Sequence, residues 1–174
     1  MEQITQKAKQ LKLLILDVDG VLTDGRLFFD ANGNEYKSFH ARDGHGIKLL
    51  RQTGVEVAVI SGRKSQSVAL RMKALGVEYV YQGHENKVAA FNEIIQAMAI
   101  KPEQAAHMGD DLLDLPLMVR AGLSIAVNDA NESVKEYADW CTKTAGGLGA
   151  VREVCDFVMK AQGTFDSVLK SYMQ

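Results

Sequence analysis

Leu13-Leu14-Ile15-Leu16-Asp17-Val18-Asp19-Gly20 sets four apolar residues directly against two carboxylates. An apolar run of that kind reads as a strand buried on both faces, the environment of a parallel sheet. Carboxylates that follow its last residue fall at the C-terminal edge of the sheet, where open α/β sheets take their ligands. Two bare carboxylates so close are electrostatically costly. The pattern therefore calls for a divalent cation, or for one of the pair to hold a proton.

Outward from this stretch the chain alternates short apolar runs with helix-like segments. The runs predict strands over 11–16, 56–60, 79–81, 105–108 and 123–126, and helices over 46–53, 65–75, 87–98 and 113–121 lie between them. Gly54, Gly76 and Gly122 follow three of these helices, where a helix commonly stops. Such alternation builds βαβ units with right-handed crossovers, hence an α/β parallel sheet flanked by helices. No repeat, low-complexity segment or linker interrupts it, so residues 1–174 read as one domain.

Residues 26–39 break the alternation. Arg26-Leu27-Phe28-Phe29 and Glu35-Tyr36-Lys37-Ser38-Phe39 flank Asp30-Ala31-Asn32-Gly33-Asn34. Asn-Gly between two strand-like runs predicts a projecting β-hairpin over about 25–40. An isolated hairpin is marginal in water. Its aromatics Phe28, Phe29, Tyr36 and Phe39 therefore either fold back on their own domain or pack against another subunit.

Composition narrows the class. The chain is 47% hydrophobic and 24% charged, as globular domains are, and its net charge of −2 argues against nucleic acid or an anionic membrane as partner. No apolar stretch reaches the roughly 20 residues of a membrane span, and the first residues, Met1-Glu2-Gln3-Ile4-Thr5-Gln6-Lys7, hold no apolar core for a secretory signal. Cys141 and Cys155 fit no zinc or CxxC spacing and read as reduced thiols of a cytoplasmic protein.

Four features fall at the ends of successive predicted strands: Asp17-Val18-Asp19-Gly20, Ser61-Gly62-Arg63, Lys87 opening a helix, and Gly109-Asp110-Asp111-Leu112-Leu113-Asp114. Singly, each has a plain alternative. Asp-x-Asp also occurs in glycosyltransferases and solvated turns, Ser-Gly-Arg is an ordinary capping loop, a lone lysine belongs to the surface, and Gly-Asp-Asp caps a turn. In this order, and over nearly the whole chain, they resemble the haloacid dehalogenase-like phosphohydrolase superfamily. A response-regulator receiver uses similar residue types, but its acceptor aspartate does not sit in an Asp-x-Asp after the first strand.

The chemistry explains the residue types. A carboxylate that attacks phosphorus splits one hard displacement into two easier ones through an aspartyl-phosphate. The resemblance makes Asp17 the nucleophile and Asp19 the general acid, which protonates the leaving alkoxide and then deprotonates the attacking water. Mg²⁺ suits hard oxygen ligands beside a phosphate. The resemblance gives it Asp17 and Asp110 through side chains and Asp19 through its carbonyl, with Asp111 and Asp114 behind them holding metal-bound water or Lys87. Ser61 hydrogen-bonds the phosphoryl oxygens and Lys87 adds positive charge.

Larger members of that superfamily insert a cap domain after the first or second motif. Between Asp19 and Ser61 there is room for the hairpin, one helix and one strand, and between Ser61 and Lys87 for one helix and one strand. No cap fits, which leaves a Rossmann-like fold with an open site. Residues 17–25, 39–47, 60–63, 71–76 and 109–116 resemble the capless 3-deoxy-D-manno-octulosonate (Kdo) 8-phosphate phosphatase family. That resemblance implies a homotetramer in which hairpins assemble, with a neighbour's hairpin and C-terminal tail helping to close each site. It also implies an anionic sugar acid phosphate as substrate, met by a loop of His40, Ala41, Arg42, Asp43 and Gly44 and by the cations Lys48, Arg63, Arg71 and Lys87. A nonulosonate 9-phosphate phosphatase would make similar charge demands. A catalytically silent sugar-acid-phosphate binding module is the alternative from a different class.

Other residues read as bland. His107 lies inside a predicted core strand and is expected to be a satisfied core histidine. His45 and His84 receive no role, and Trp140 and most methionines read as packing. The tail 163–174, with Phe165, Val168, Leu169 and Tyr172, reads as a short amphipathic segment that the family makes a lid over a neighbour's site.

Overall fold

The apolar run forms strand β1 (Leu13–Leu16) with all four side chains fully buried. In the computed structural model, which describes residues 1–84 and 86–174, it lies inside a six-stranded parallel sheet. The other members are β4 (Glu56–Ser61), β5 (Tyr79–Gln82), β6 (Ala105–Gly109), β7 (Leu123–Ala126) and β8 (Trp140–Cys141), in the order β5-β4-β1-β6-β7-β8. Successive side chains alternate between faces. Leu14 and Leu16 join Val57, Val59 and Met108 in one core, while Leu13 and Ile15 join Ala58, Ile60 and Ala105 in the other. Each such leucine or isoleucine taken out of water is worth about 1.5–3 kcal/mol. The double burial explains why β1 reads as an unbroken apolar run.

Helices cover both faces. α1 (Glu2–Lys9), α2 (Ala41–Gln52), α3 (Gln66–Leu75) and α7 (Ala150–Ala161) bury Ala8, Ile47, Leu50, Val68, Met72, Val151, Val154 and Val158 in the first core. α4 (Lys87–Ala97) buries Ala90, Phe91 and Ile94 in the second. Short helices α5 (Leu115–Met118), α6 (Glu132–Lys135) and α8 (Phe165–Ser171) complete the set. Among the described residues, no helix is long and apolar enough to cross a membrane.

Three departures from expectation have physical causes. The stretch His40–Gly44 is not a loop: His40 is the N-cap and Ala41 the first residue of α2, which begins five residues before the predicted 46. Gly44 and Gly46 each lower helix propensity by about 1 kcal/mol, but α2 packs so closely on α7 that a Cβ at Gly46 would stand 2.8 Å from Arg152 Cδ. Packing overrides propensity there. The helix predicted over 113–121 is instead a 3₁₀ turn, Leu112–Asp114, followed by α5 with Pro116 in its first turn. Finally, α1, α6, α7 and the edge strand β8 were not among the predicted elements.

The hairpin is present as β2 (Phe28–Phe29) paired antiparallel with β3 (Glu35–Tyr36). Phe28, Phe29 and Tyr36 remain 50, 57 and 58% exposed, so they do not fold back on their own domain, whereas Phe39 packs on the first core. Trp140 packs its ring on Phe157 at 4.7 Å, as packing residues do.

Candidate active site

Strand order decides where the site lies. From the central β1 the sheet continues to β4 and β5 on one side and to β6, β7 and β8 on the other, so a crevice opens between the ends of β1 and β6. Leu16 pairs with Val59 and with Met108, and the Asp17 N–H donates to the Met108 carbonyl at 3.1 Å. Asp17 and Asp110 therefore leave adjacent strands side by side. Gly20 adopts φ +95°, and a Cβ there would sit 2.1 Å from Asp110 Oδ2, so the turn after Asp19 has no room for a side chain.

Asp17, Asp19, Ser61, Arg63, Lys87, Asp110, Asp111 and Asp114 line one cavity of about 190 Å³. Lys87, the first residue of α4, places its buried Nζ 2.7 Å from Asp17 Oδ1 and 2.7 Å from Asp114 Oδ1. Asp114 is saturated. Its Oδ1 also meets His107 Nε2 at 3.0 Å, and its Oδ2 accepts the Asp110 and Asp111 N–H groups at 3.0 and 3.3 Å. Asp111 is exposed, and its Oδ1 caps the following turn through the Leu112 N–H. The two residues thus separate: Asp114 holds Lys87, and Asp111 faces solvent at the rim. Ser61 is buried with its Oγ accepting the Arg63 N–H at 3.3 Å.

The predicted sugar contacts divide. Arg63 lines the catalytic cavity, but Ala41, Gly44, Lys48 and Arg71 line a second cavity of about 220 Å³ with His45 and Leu75. Gly44 lets the Arg71 guanidinium lie against α2, since a Cβ there would stand 2.1 Å from Arg71 Nη2 and displace it. Asp43 is turned inward: its Oδ1 accepts the Arg152 N–H at 2.8 Å in the first turn of α7, and burial raises its pKa although that hydrogen bond opposes the shift. Its Oδ1 thus serves α7, while its Oδ2 is buried and has no hydrogen-bond partner among the described residues. Arg42 is exposed, and His40 keeps a buried Nδ1 without a partner among the described residues.

Three residues of the site were missed. His107 is a core histidine as expected, but its partner is Asp114, which connects it to the catalytic cavity. Lys37 pairs with Asp19 and Glu35, and Glu35 pairs with Arg63. The alternation Glu35-Tyr36-Lys37 carried a signal for them, since residues flanking an outward tyrosine share the opposite face.

Electrostatics shows what the cluster lacks. Burial, then the charge of Asp114, pushes Asp17 up to about 6 despite Lys87 and His107. Burial and the Asp17 and Asp114 carboxylates push Asp110 up to about 8. Burial would raise Asp114 as well, but His107 and Lys87 outweigh it and hold this carboxyl well below the usual range. Burial alone would lower Lys87, and the two carboxylates raise it instead. Oxygens of Asp17, Asp110 and Asp114 lie within 4.8 Å of one another. Hard oxygens with unrelieved negative charge fit a small divalent cation. Since Asp114 already accepts from four donors, Asp17 and Asp110 are the side chains with capacity to hold one.

A consequence follows for pH. Without a cation, Asp110 binds a proton in the fold that it does not bind when unfolded, so stability falls as pH rises from about 4 toward about 8. A divalent cation replaces that proton. The gain in melting temperature from Mg²⁺ will therefore grow between about pH 5 and pH 8 in calorimetric scans with and without the ion. A gain that is flat or falls with pH would contradict the assignment of Asp110.

A parallel α/β sheet with these four motifs at its crevice defines a haloacid dehalogenase-like hydrolase, and the model of that description matches residues 77–154. The chain is 48% identical over 163 residues to the 3-deoxy-D-manno-octulosonate 8-phosphate phosphatase of Escherichia coli K12, covering 94% of this chain and 87% of that one. It superposes on the Moraxella catarrhalis phosphatase of that name, crystallised with magnesium, phosphate and Kdo. The TM-score is 0.96 at 40% identity, over 99% of both chains. The cobalt-bound Haemophilus influenzae enzyme gives 0.93 at 42% identity, over 97% of this chain and all of that one. The chain belongs to the Kdo 8-phosphate phosphatase family.

Proposed function

We propose that this chain hydrolyses Kdo 8-phosphate to Kdo and inorganic phosphate, a step of lipopolysaccharide biosynthesis in the cytoplasm. The observation that carries the reading is the Lys87 ammonium, 2.7 Å from both Asp17 and Asp114 where the strand order reverses beside β1. With Oδ1 held by Lys87, Asp17 presents its other oxygen to phosphorus. An Asp17–phosphorus bond forms as the bond to the C8 oxygen breaks, and Asp19 gives that alkoxide its proton. Water then attacks phosphorus, Asp19 takes its proton, and the aspartyl-phosphate bond breaks to release phosphate. Ser61 and Lys87 hold the phosphoryl oxygens throughout. Mg²⁺, held by the Asp17 and Asp110 carboxylates and the Asp19 carbonyl, supplies positive charge for the transferring phosphoryl group.

Arg63 in the first cavity and Lys48 and Arg71 in the second are the cations offered to the anionic sugar acid, with the stretch His40, Ala41, Arg42, Asp43 and Gly44 meeting the sugar. The exposed Phe28, Phe29 and Tyr36 support a homotetramer joined through the hairpins, since exposed aromatics of this size mark contact surfaces. Phosphate release with Mg²⁺, measured on Kdo 8-phosphate, nonulosonate 9-phosphates and simple sugar phosphates, tests the reading. Selectivity for the eight-carbon acid is expected. Equal rates on all would remove the substrate assignment, and binding without release would favour a silent binding module.

A further inference from the structure

Lys37 follows β3, outside every catalytic motif, yet its side chain is only 1% exposed. Lysine is almost never buried to that degree unless paired. Its Nζ contacts Asp19 Oδ1 and lies 2.9 Å from Glu35 Oε1. Glu35 in turn pairs with Arg63, whose Nε stands 3.7 Å from Asp19 Oδ2. Two acids and two cations thus close a ring that ties the hairpin to the end of β1. Within the ring, Asp19 Oδ1 is taken, while Oδ2 is buried and has no hydrogen-bond partner among the described residues.

We propose that Lys37 is a positioning residue for the reaction: by gripping one oxygen of Asp19 it fixes the other toward the leaving-group oxygen. Lys37 does not line the catalytic cavity, so it acts through Asp19 and not on the phosphate. Glu35 orients Lys37 and, through Arg63, joins the hairpin to the loop after β4. The inference rests on the reading above, in which Asp19 protonates the departing alkoxide. It deepens that reading by making the hairpin part of each chain's own proton-transfer geometry.

The test exploits leaving groups. The C8 alkoxide of Kdo needs a proton as it departs, whereas p-nitrophenolate leaves without one. General acid–base groups contribute about 10²–10⁴-fold, so Lys37→Met should cost about 10²-fold in kcat/KM on Kdo 8-phosphate and under about 5-fold on p-nitrophenyl phosphate. Both substrates are run on the same sample, so the ratio does not depend on how much of the variant is folded. Lys37→Arg, which keeps the charge, should recover most of the ratio. Equal losses on both substrates, or no loss on either, would overturn the role of Lys37. Wild-type turnover of p-nitrophenyl phosphate alone would remove the Kdo assignment, and the Lys37 ratio would then be read on another alkyl phosphate that the enzyme accepts. No turnover of either ester by the wild-type chain would overturn both proposals.

Discussion

Asp17→Asn will release no measurable phosphate from Kdo 8-phosphate, yet the metal-free variant will melt no lower than the wild-type chain near pH 7.5. The first half follows from chemistry. An amide oxygen does not form the acyl phosphate, and loss of a nucleophile costs about four orders of magnitude or more in kcat. The second half follows from the site's electrostatics. Burial and the Asp114 charge raise Asp17 to about 6, so its ionised form is the costly one in the fold. An acid raised in this way lowers stability as pH climbs from its ordinary value through about 6, and the cost is fully present at pH 7.5. Asparagine removes that charge and still offers Oδ1 to Lys87. The variant's advantage should vanish near pH 4.5, where the wild-type carboxyl is protonated. Paired thermal melts at the two pH values, without Mg²⁺, decide the matter. A variant that melts lower at pH 7.5 would mean that the Asp17–Lys87 attraction outweighs the cost of burying the charge.

What the sequence disclosed was whatever topology alone positions. Asp17, Ser61 and Asp110 follow or end apolar strands, and Lys87 opens a helix, so knowing the order of elements places them at one edge. Residues that depend on side-chain direction were not legible. Lys37 and Glu35 reach the site because the hairpin turns one face inward, and His107 reaches Asp114 because β6 points it beneath the following loop. The start of α2 was hidden by Gly44 and Gly46, which look like helix breakers and are present for close packing. α1 is amphipathic, but it is short and mostly polar, and only Ala8 and Ile4 meet the core, so few apolar residues mark it in the sequence. α7 is a different case: Val151, Val154, Cys155, Val158 and Met159 follow helical spacing along one buried stripe, and the helix could have been read from them. The exposed aromatics of the hairpin were legible as residues but not as a surface, because exposure depends on how the hairpin projects.

Lys87→Met should damage both activity and stability, and the second effect separates its structural role from its catalytic one. Lys87 is 5% exposed and is bonded at 2.7 Å to two carboxylates. Loss of one such charged donor from a phosphoryl site costs about 10²–10³-fold in kcat. Removing one partner of a buried ion pair typically costs about 3–5 kcal/mol, because the other is left charged and unpaired. Here the residue left most exposed to that penalty is Asp114, which Lys87 and His107 together hold ionised. The double variant Lys87→Met/Asp114→Asn should therefore regain much of the lost stability in urea melts while remaining inactive. Mg²⁺ should rescue the single variant more than the wild type, since a cation then meets carboxylates with no competing ammonium. The deficit should also shrink near pH 5, where Asp17 and Asp110, with pKa values raised to about 6 and about 8, take up protons in the metal-free fold. If the single variant is as stable as the wild type at neutral pH, Lys87 does not neutralise the cluster. The carboxylates would then have to be balanced by water and by the main-chain donors around Asp114.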